Sequence, residues 1–275
     1  MECINKYLRT KSNINKISSN VLKTIAIIAM VIDHLGYYFS FTLNPIVYTT
    51  FRVIGRIAMP IFAFLLVQGY IKTHSIRKYL FRLIICAVLS QIVLNSLGII
   101  NVNFIEEYRA SITTDLNIVF SFCLSLIILI VIDKSNVFIR LKNGNTKEAL
   151  FYIKDIGIRS AIMGICVAIY YFIPIDYGFI VPLMVIGMFF LLKLKDNKNN
   201  IKKIMYYIFM IILVGVLCLF EKQFGIFAIF SLIFIFLYNG TLGRKSKYLQ
   251  KIYYCIFPLQ HLILYSLAIF CYTKM

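Results

Sequence analysis

The stretch VLKTIAIIAMVIDHLGYYFSF, residues 21–41, is long and apolar enough to cross a bilayer, yet it holds Asp33 and His34 side by side. A membrane-spanning helix needs about 20 mostly apolar residues. An ionisable group inside one is costly, so it pairs, faces water or marks function. This run therefore poses two questions: how many such segments the chain contains, and what the Asp-His pair is for.

The composition answers the first in outline. Of 275 residues, 61% are hydrophobic, and the mean hydropathy is +0.85; soluble domains average about 45–50% apolar. Nine candidate spans follow, at about 21–41, 51–71, 79–100, 114–133, 157–173, 175–193, 202–220, 224–239 and 253–272. The eighth is short, and only Pro-Ile-Asp divides the fifth from the sixth, so eight to ten spans or a re-entrant piece also fit. The runs are continuous rather than alternating, which argues against a β-barrel. The fold expected is all-α: a polytopic transmembrane helical bundle, with residues 1–20 as a cytoplasmic segment and 21–275 as one membrane domain.

The net charge of +18 would point to nucleic acid in a soluble protein. Here the basic residues sit between apolar runs, so topology explains them better and no nucleic-acid partner is expected. Counting alternate connections, 24 of the 29 Lys and Arg fall on one side. The other side receives only Arg52, Arg56, Arg109, Lys222 and Lys274. By the positive-inside rule the N-terminus is cytoplasmic and, with nine spans, the C-terminus is outside. About twenty polar residues precede a run too long for a signal h-region, so no cleaved signal is expected. The seven cysteines lack CxxC spacing and read as packing residues; no metal site is expected.

Depth follows from the helical rise of about 1.5 Å per residue. His34 lies about 20 Å along the first span, past the midplane. Arg52 and Arg56 lie in the outer half of the second span, four apart on one face. The third brings Ser90, Gln91 and Asn95 to that depth, the fourth Asp115 and Asn117, and the IDYG connection Asp176 and Tyr177. Polar groups from five segments thus converge. Neighbours on a helix point about 100° apart, so Asp33 is expected to pair with an arginine while His34 faces a cavity. Structural ion pairing alone would also account for such charges. His74 lies in a basic loop, and His261 follows Pro258, which the ninth span places nearer the cytoplasmic half.

Seven segments in order, LKTIAIIAMVIDHLG, FRVIGRIAMPIFAFLLVQGYIKT, YLFRLIICAVLSQ, TDLNIVF, IDYG, YNGTLG and FPLQHLILY, together resemble the TraX family of pilin N-acetylase-like transmembrane acyltransferases. The likeness runs over about residues 20–265. The sequence departs from the family pattern at Gln68, where an acidic residue is expected, and in Pro-Leu-Gln-His, which has one residue more between proline and histidine.

The resemblance implies a multi-pass acetyltransferase of the bacterial cytoplasmic membrane. Its co-substrate would be cytosolic acetyl-CoA, with no metal. The acceptor would be an amine or hydroxyl in the outer half or beyond: a peptide N-terminus, an amino sugar or another amine. On that reading Lys72, Arg77, Lys78, Arg82, Asn239, Arg244 and Lys245 would hold acetyl-CoA, the basic ones through its phosphates. His34 would be the general base, with Asp33, Arg56 and His261 beside it. Arg56, Asn95 or Tyr177 would stabilise the oxyanion. Arg52, Gln91, Asp115, Asn117 and Asp176 would complete the acceptor pocket. Two other classes fit intramembrane charge: a proton- or ion-coupled transporter, whose expected internal symmetry is not found, and a non-catalytic membrane assembly protein.

Overall fold

The computed structural model describes residues 17–100, 115–133, 146–195, 200–220, 224–243, 247–272 and 274. The described residues form helices: α1 (Ser19–Tyr38), α2 (Pro45–Gly55), α3 (Ala58–Lys72), α4 (Ile76–Ile100), α5 (Ile118–Asp133), α6 (Thr146–Phe172), α7 (Ile180–Lys195), α8 (Asn200–Leu219), α9 (Ser231–Phe236) and α10 (Lys247–Tyr272). A 3-10 turn, Gly225–Phe230, leads into α9. Isolated parallel bridges join Ile17 to Tyr238 and Leu116 to Ile175.

Among the described residues, five segments are long and apolar enough to cross a membrane: Ser19–Tyr38, Pro45–Lys72, Ile76–Ser96, Asn200–Leu219 and Tyr248–Cys271. They match the first, second, third, seventh and ninth sequence spans. Ile118–Asp133, Gly157–Phe172 and Gly225–Phe236 are shorter apolar helices. The outer surface carries the apolar side chains that lipid would cover, among them Ile85, Leu89 and Ile92 of α4, Ile204, Ile208 and Ile212 of α8, and Leu262, Ile263 and Phe270 of α10. In water so much exposed apolar surface would drive aggregation; this exterior belongs in a bilayer.

Several elements begin earlier than the sequence predicts. The second span starts at Pro45 rather than near 51, because Asn44 caps it by accepting from the Ile46 amide at 2.9 Å and Pro45 supplies a preset φ at the first helical position. Thr50 donates back to the Ile46 carbonyl at 2.8 Å, so its hydroxyl costs the span little. The long polar connection after α5 gives way at Thr146 to a helix continuous with the fifth span. The intervening residues 134–145 lie outside the described residues.

The core centres on α3. Ile61, Ala63, Phe64 and Val67 are fully buried, packed within one cluster that draws on α1, α4, α5, α7, α8 and α9. The helix is apolar all round, as expected of one enclosed by others. Its end is anchored by the Tyr70 hydroxyl, which donates to Asp133 Oδ2 at 2.8 Å, while Lys193 reaches Asp133 Oδ1 at 3.2 Å. Three helix ends, from α3, α5 and α7, are thereby tied together.

A backbone irregularity in α10 is resolved by a neighbour. Pro258 lies inside the helix and has no N–H for the Tyr254 carbonyl one turn earlier. The Cys86 thiol of α4 donates to that carbonyl at 3.5 Å. In a bilayer a freed carbonyl needs such a partner, since water is absent.

The first two helices meet through glycines. A Cβ at Gly36 would lie 3.0 Å from Phe51 Cβ, and one at Gly55 would collide with the Asp33 side chain. Only hydrogen at these positions lets α1 and α2 approach closely. Gly55→Ala is expected to destabilise by about 1–3 kcal/mol through overpacking. Gly164→Ala, whose methyl meets nothing within 4 Å, should be neutral or gain up to about 1 kcal/mol. Melting curves of the two purified variants check this; coincident curves would remove the close contact from the account.

Candidate active site

The glycine contact delivers two arginines to one carboxylate. Arg52 Nη1 donates to Asp33 Oδ2 at 2.7 Å and lies 3.4 Å from the Asp33 carbonyl oxygen. Arg56 Nη2 lies 3.7 Å from Asp33 Oδ1. All three side chains are largely buried, at 16%, 18% and 9% exposure for Asp33, Arg52 and Arg56. The pairing expected of Asp33 is therefore present, with Arg52 of α2 and Arg56 at the C-cap of α2 as the partners. The helix breaks between Gly55 and Ala58, and Arg56 sits in that break. It turns its Nη1 to donate to the Tyr177 hydroxyl at 3.1 Å.

Tyr177 reaches this position through a strained turn. Its φ of 61° lies in the left-handed region, which side chains with a Cβ avoid at a cost of about 1–2 kcal/mol. The turn is stitched from both sides: Leu116 N donates to Pro174 O at 2.9 Å, Asp176 N to Leu116 O at 2.9 Å, and Ser121 Oγ to Asp176 O at 3.1 Å. IDYG and TDLN thus enter the site as one unit.

His34 points away from the arginines, toward α10. Its ring centroid is 4.5 Å from that of His261 and 6.5 Å from Phe257. His261 is buried, and its Nδ1 lies 2.8 Å from the Tyr38 hydroxyl. The sequence depth for His261, nearer the cytoplasmic half, is corrected by this contact: the two histidines are level. The physical reason is that α10 begins at Lys247 rather than near 253, so His261 lies about 21 Å along it.

A cavity of about 1400 Å³ opens beside these groups, larger than the ~300–1,000 Å³ of an ordinary small-molecule pocket. Asp33, His34, Arg52, Arg56, Tyr177 and His261 line it, as do Asp115, Asn117 and Asp176. It extends to Lys23, Lys72 and Arg82, at the end of the bundle where α1 and α4 begin and α3 finishes. Lys23 and His34 are about 16 Å apart along α1. Lys72 donates to the Tyr238 hydroxyl at 2.8 Å and to the Gly240 carbonyl at 2.7 Å. Basic groups and histidines therefore share one continuous space.

Several expected site residues lie elsewhere. Gln91 and Asn95 do not line the cavity. Gln91 donates to Asn95 Oδ1 at 3.0 Å and to the Asp115 carbonyl at 3.2 Å, and it accepts from the Asn117 amide at 2.9 Å. Asn117 in turn accepts from Val119 N at 3.0 Å, which caps the start of α5. Asn239 shapes the connection before α10, where its Oδ1 accepts from Thr241 N and Oγ1 at 2.9 and 2.8 Å. Arg77 and Lys78 are exposed and off the cavity. Arg244 and Lys245 lie outside the described residues.

Sequence reasoning missed Tyr38, Gln260 and the cavity role of Lys23. Tyr38 was within reach, being four residues after His34 on the same helix face. Gln260 was signalled only as an amide within an apolar span. Lys23 was counted as a topology charge, although it heads the same helix as His34.

Three comparisons bear on the chain. The family model described as TraX protein matches residues 18–268. A probable fimbrial assembly protein FimC, serogroup H1, of Dichelobacter nodosus is 39% identical over 70 residues, 26% of this chain and 28% of that protein. An uncharacterized protein of Rickettsia prowazekii (strain Madrid E) is 47% identical over 73 residues, 26% of this chain and 25% of that protein. The match thus spans about a quarter of each relative, and no solved structure matches the chain. The family match covers the helices that carry Asp33, Arg56, Tyr177 and His261 and nearly all of the bundle around them, so the chain belongs to the TraX family.

Proposed function

We propose that the protein is an integral-membrane acetyltransferase. It would move an acetyl group from cytosolic acetyl-CoA to an amine or hydroxyl acceptor at the outer half of the bacterial cytoplasmic membrane. The observation that carries the reading is the single cavity joining Lys23, Lys72 and Arg82 to the His34–His261 pair. Its basic end suits the phosphates of coenzyme A, which charge-assisted hydrogen bonds hold well. Its length suits an extended pantetheine arm, and its far end holds titratable groups in a cleft, the usual setting of catalysis.

In this reading all nine segments cross the membrane and the N-terminus is cytoplasmic. The basic helix ends support the orientation. The eighth segment supports the count: it runs from the level of α2 back to Tyr238, which pairs with Ile17 beside the start of α1.

The chemistry follows from the geometry. A neutral acceptor amine attacks the thioester carbon, and the new N–C bond places negative charge on the carbonyl oxygen. Arg56 and the Tyr177 hydroxyl are fixed donors for that charge, held before the reaction begins. His34 takes the proton leaving the amine nitrogen. The C–S bond then breaks, and the departing sulfur of coenzyme A takes that proton back. Asp33 holds the arginines in place. A pilin N-terminus, the acceptor that the sequence resemblance implies, fits this path, as does another exported amine.

Asp33→Ala would leave two buried guanidinium groups against no carboxylate. Breaking a buried pair from one side commonly costs about 3–5 kcal/mol, so yield and melting temperature should fall with activity. His34→Ala should keep its melting temperature and its acetyl-CoA binding while transfer slows by about 10²–10⁴-fold. Transfer assays beside melting curves check the pair. Undiminished transfer by a folded His34→Ala protein would remove His34 from the mechanism.

Acetyl-CoA binding itself is testable without an acceptor. Titration into protein in nanodiscs should give saturable binding that weakens as salt screens the phosphate contacts. Arg82→Ala should weaken it about tenfold or more, the range of one charged hydrogen bond. A folded protein that binds no acetyl-CoA at millimolar concentration would sink the acetyltransferase reading.

A further inference from the structure

The amide of Gln260 is unexplained by the site as described. Its residue is 6% exposed, and neither Nε2 nor Oε1 has a hydrogen-bond partner. Buried side-chain amides are normally satisfied. On α1, His34 Nδ1 is likewise buried without a partner, and the Gln260 side chain lies against that ring. Phe257 and His261 of α10 both present their rings to His34, and Gln260 lies three residues after Phe257, on that residue's side of the helix. Its amide is directed at the His34 ring without closing a hydrogen bond of full geometry.

We infer that Gln260 is a positioning residue for His34: its Oε1 accepts the proton on His34 Nδ1 and so leaves the lone pair of Nε2 facing the cavity. The inference deepens the proposed function and rests on it for its purpose, since a general base needs a chosen nitrogen free. A neutral imidazole carries one donor and one acceptor nitrogen, and the bond made by one decides the role of the other. The alternatives on the page are already committed. Asp33 faces α2 and its arginines, and His261 Nδ1 is taken by Tyr38.

The pattern also accounts for Pro-Leu-Gln-His as a unit. Proline starts a turn of α10 free of one backbone bond, glutamine faces His34, and histidine packs its tilted ring against His34. In this arrangement the two polar residues do different work: His261 is held by α1 through Tyr38, and Gln260 holds α1 through His34.

The test uses the full-length protein in nanodiscs with ¹⁵N-labelled histidine rings. The chain has three histidines, His34, His74 and His261, so His74→Gln and His34→Gln spectra assign the signals. At neutral pH the native His34 should appear as the tautomer protonated on Nδ1. Gln260→Met, which keeps the length and removes the acceptor, should shift it toward the Nε2-protonated form or a mixture. Its transfer rate should fall by about 10–100-fold, the range seen when an orienting partner of a functional histidine is lost, with acetyl-CoA binding unchanged. A native His34 protonated on Nε2 would overturn the inference without any variant, and so would an unchanged tautomer in folded Gln260→Met protein. The spectra need no acceptor, so a correct tautomer in a protein with no transferase activity would fail the proposed function and leave the positioning intact.

Discussion

The pairing of Asp33 with Arg52 and Arg56 is the constraint on which the site depends. Each of these charges would be expensive alone in a bilayer. Pairing sets where α2 lies against α1, and the bare hydrogens of Gly36 and Gly55 let it lie there. The position of Arg56 then fixes which side of the helix break faces the cavity. Tyr177 follows, because its hydroxyl accepts from Arg56, and with it comes the whole IDYG turn.

On α1 the same carboxylate divides two functions that neighbour each other in sequence. Asp33 faces α2 and His34 faces α10, as the helical rotation between successive residues requires. A site that needs a fixed cation array on one side and a proton-transferring ring on the other gains both from two adjacent residues. The remaining elements then serve as walls: α3 fills the centre, and α5 with its capping network of Gln91, Asn95 and Asn117 closes one flank.

The membrane class, the first two helices and the convergence of charge were legible in the sequence, because intramembrane charges cannot be idle. The division of that polar cluster was not. Depth along a helix can be counted, but rotation about its axis needs a polar face to read, and α4, which carries Gln91 and Asn95, has apolar side chains on both its buried and its exposed faces. Gln91 and Asn95 therefore shared a depth with Arg56 and Tyr177 without sharing their cavity. His261 was misplaced for a different reason. Six residues, Lys247 to Ile252, with two lysines and a glutamine among them, belong to its helix yet read as a loop. The contact between α1 and α2 was also hidden, since a glycine in a span gives no sign of what approaches it.

Pro258 has a consequence for how the chain is made. Its helix carries a backbone carbonyl, on Tyr254, that the helix cannot satisfy, and the donor is a thiol on α4. Synthesis runs from the N-terminus, so Cys86 is already in place when α10 leaves the ribosome. The last span thus arrives with a vacancy shaped for a partner that came long before it. A copy of α10 inserted alone would expose that carbonyl to hydrocarbon. The proline makes the final helix dependent on the early bundle, and it orders assembly so that the second histidine joins a site whose first histidine is already held.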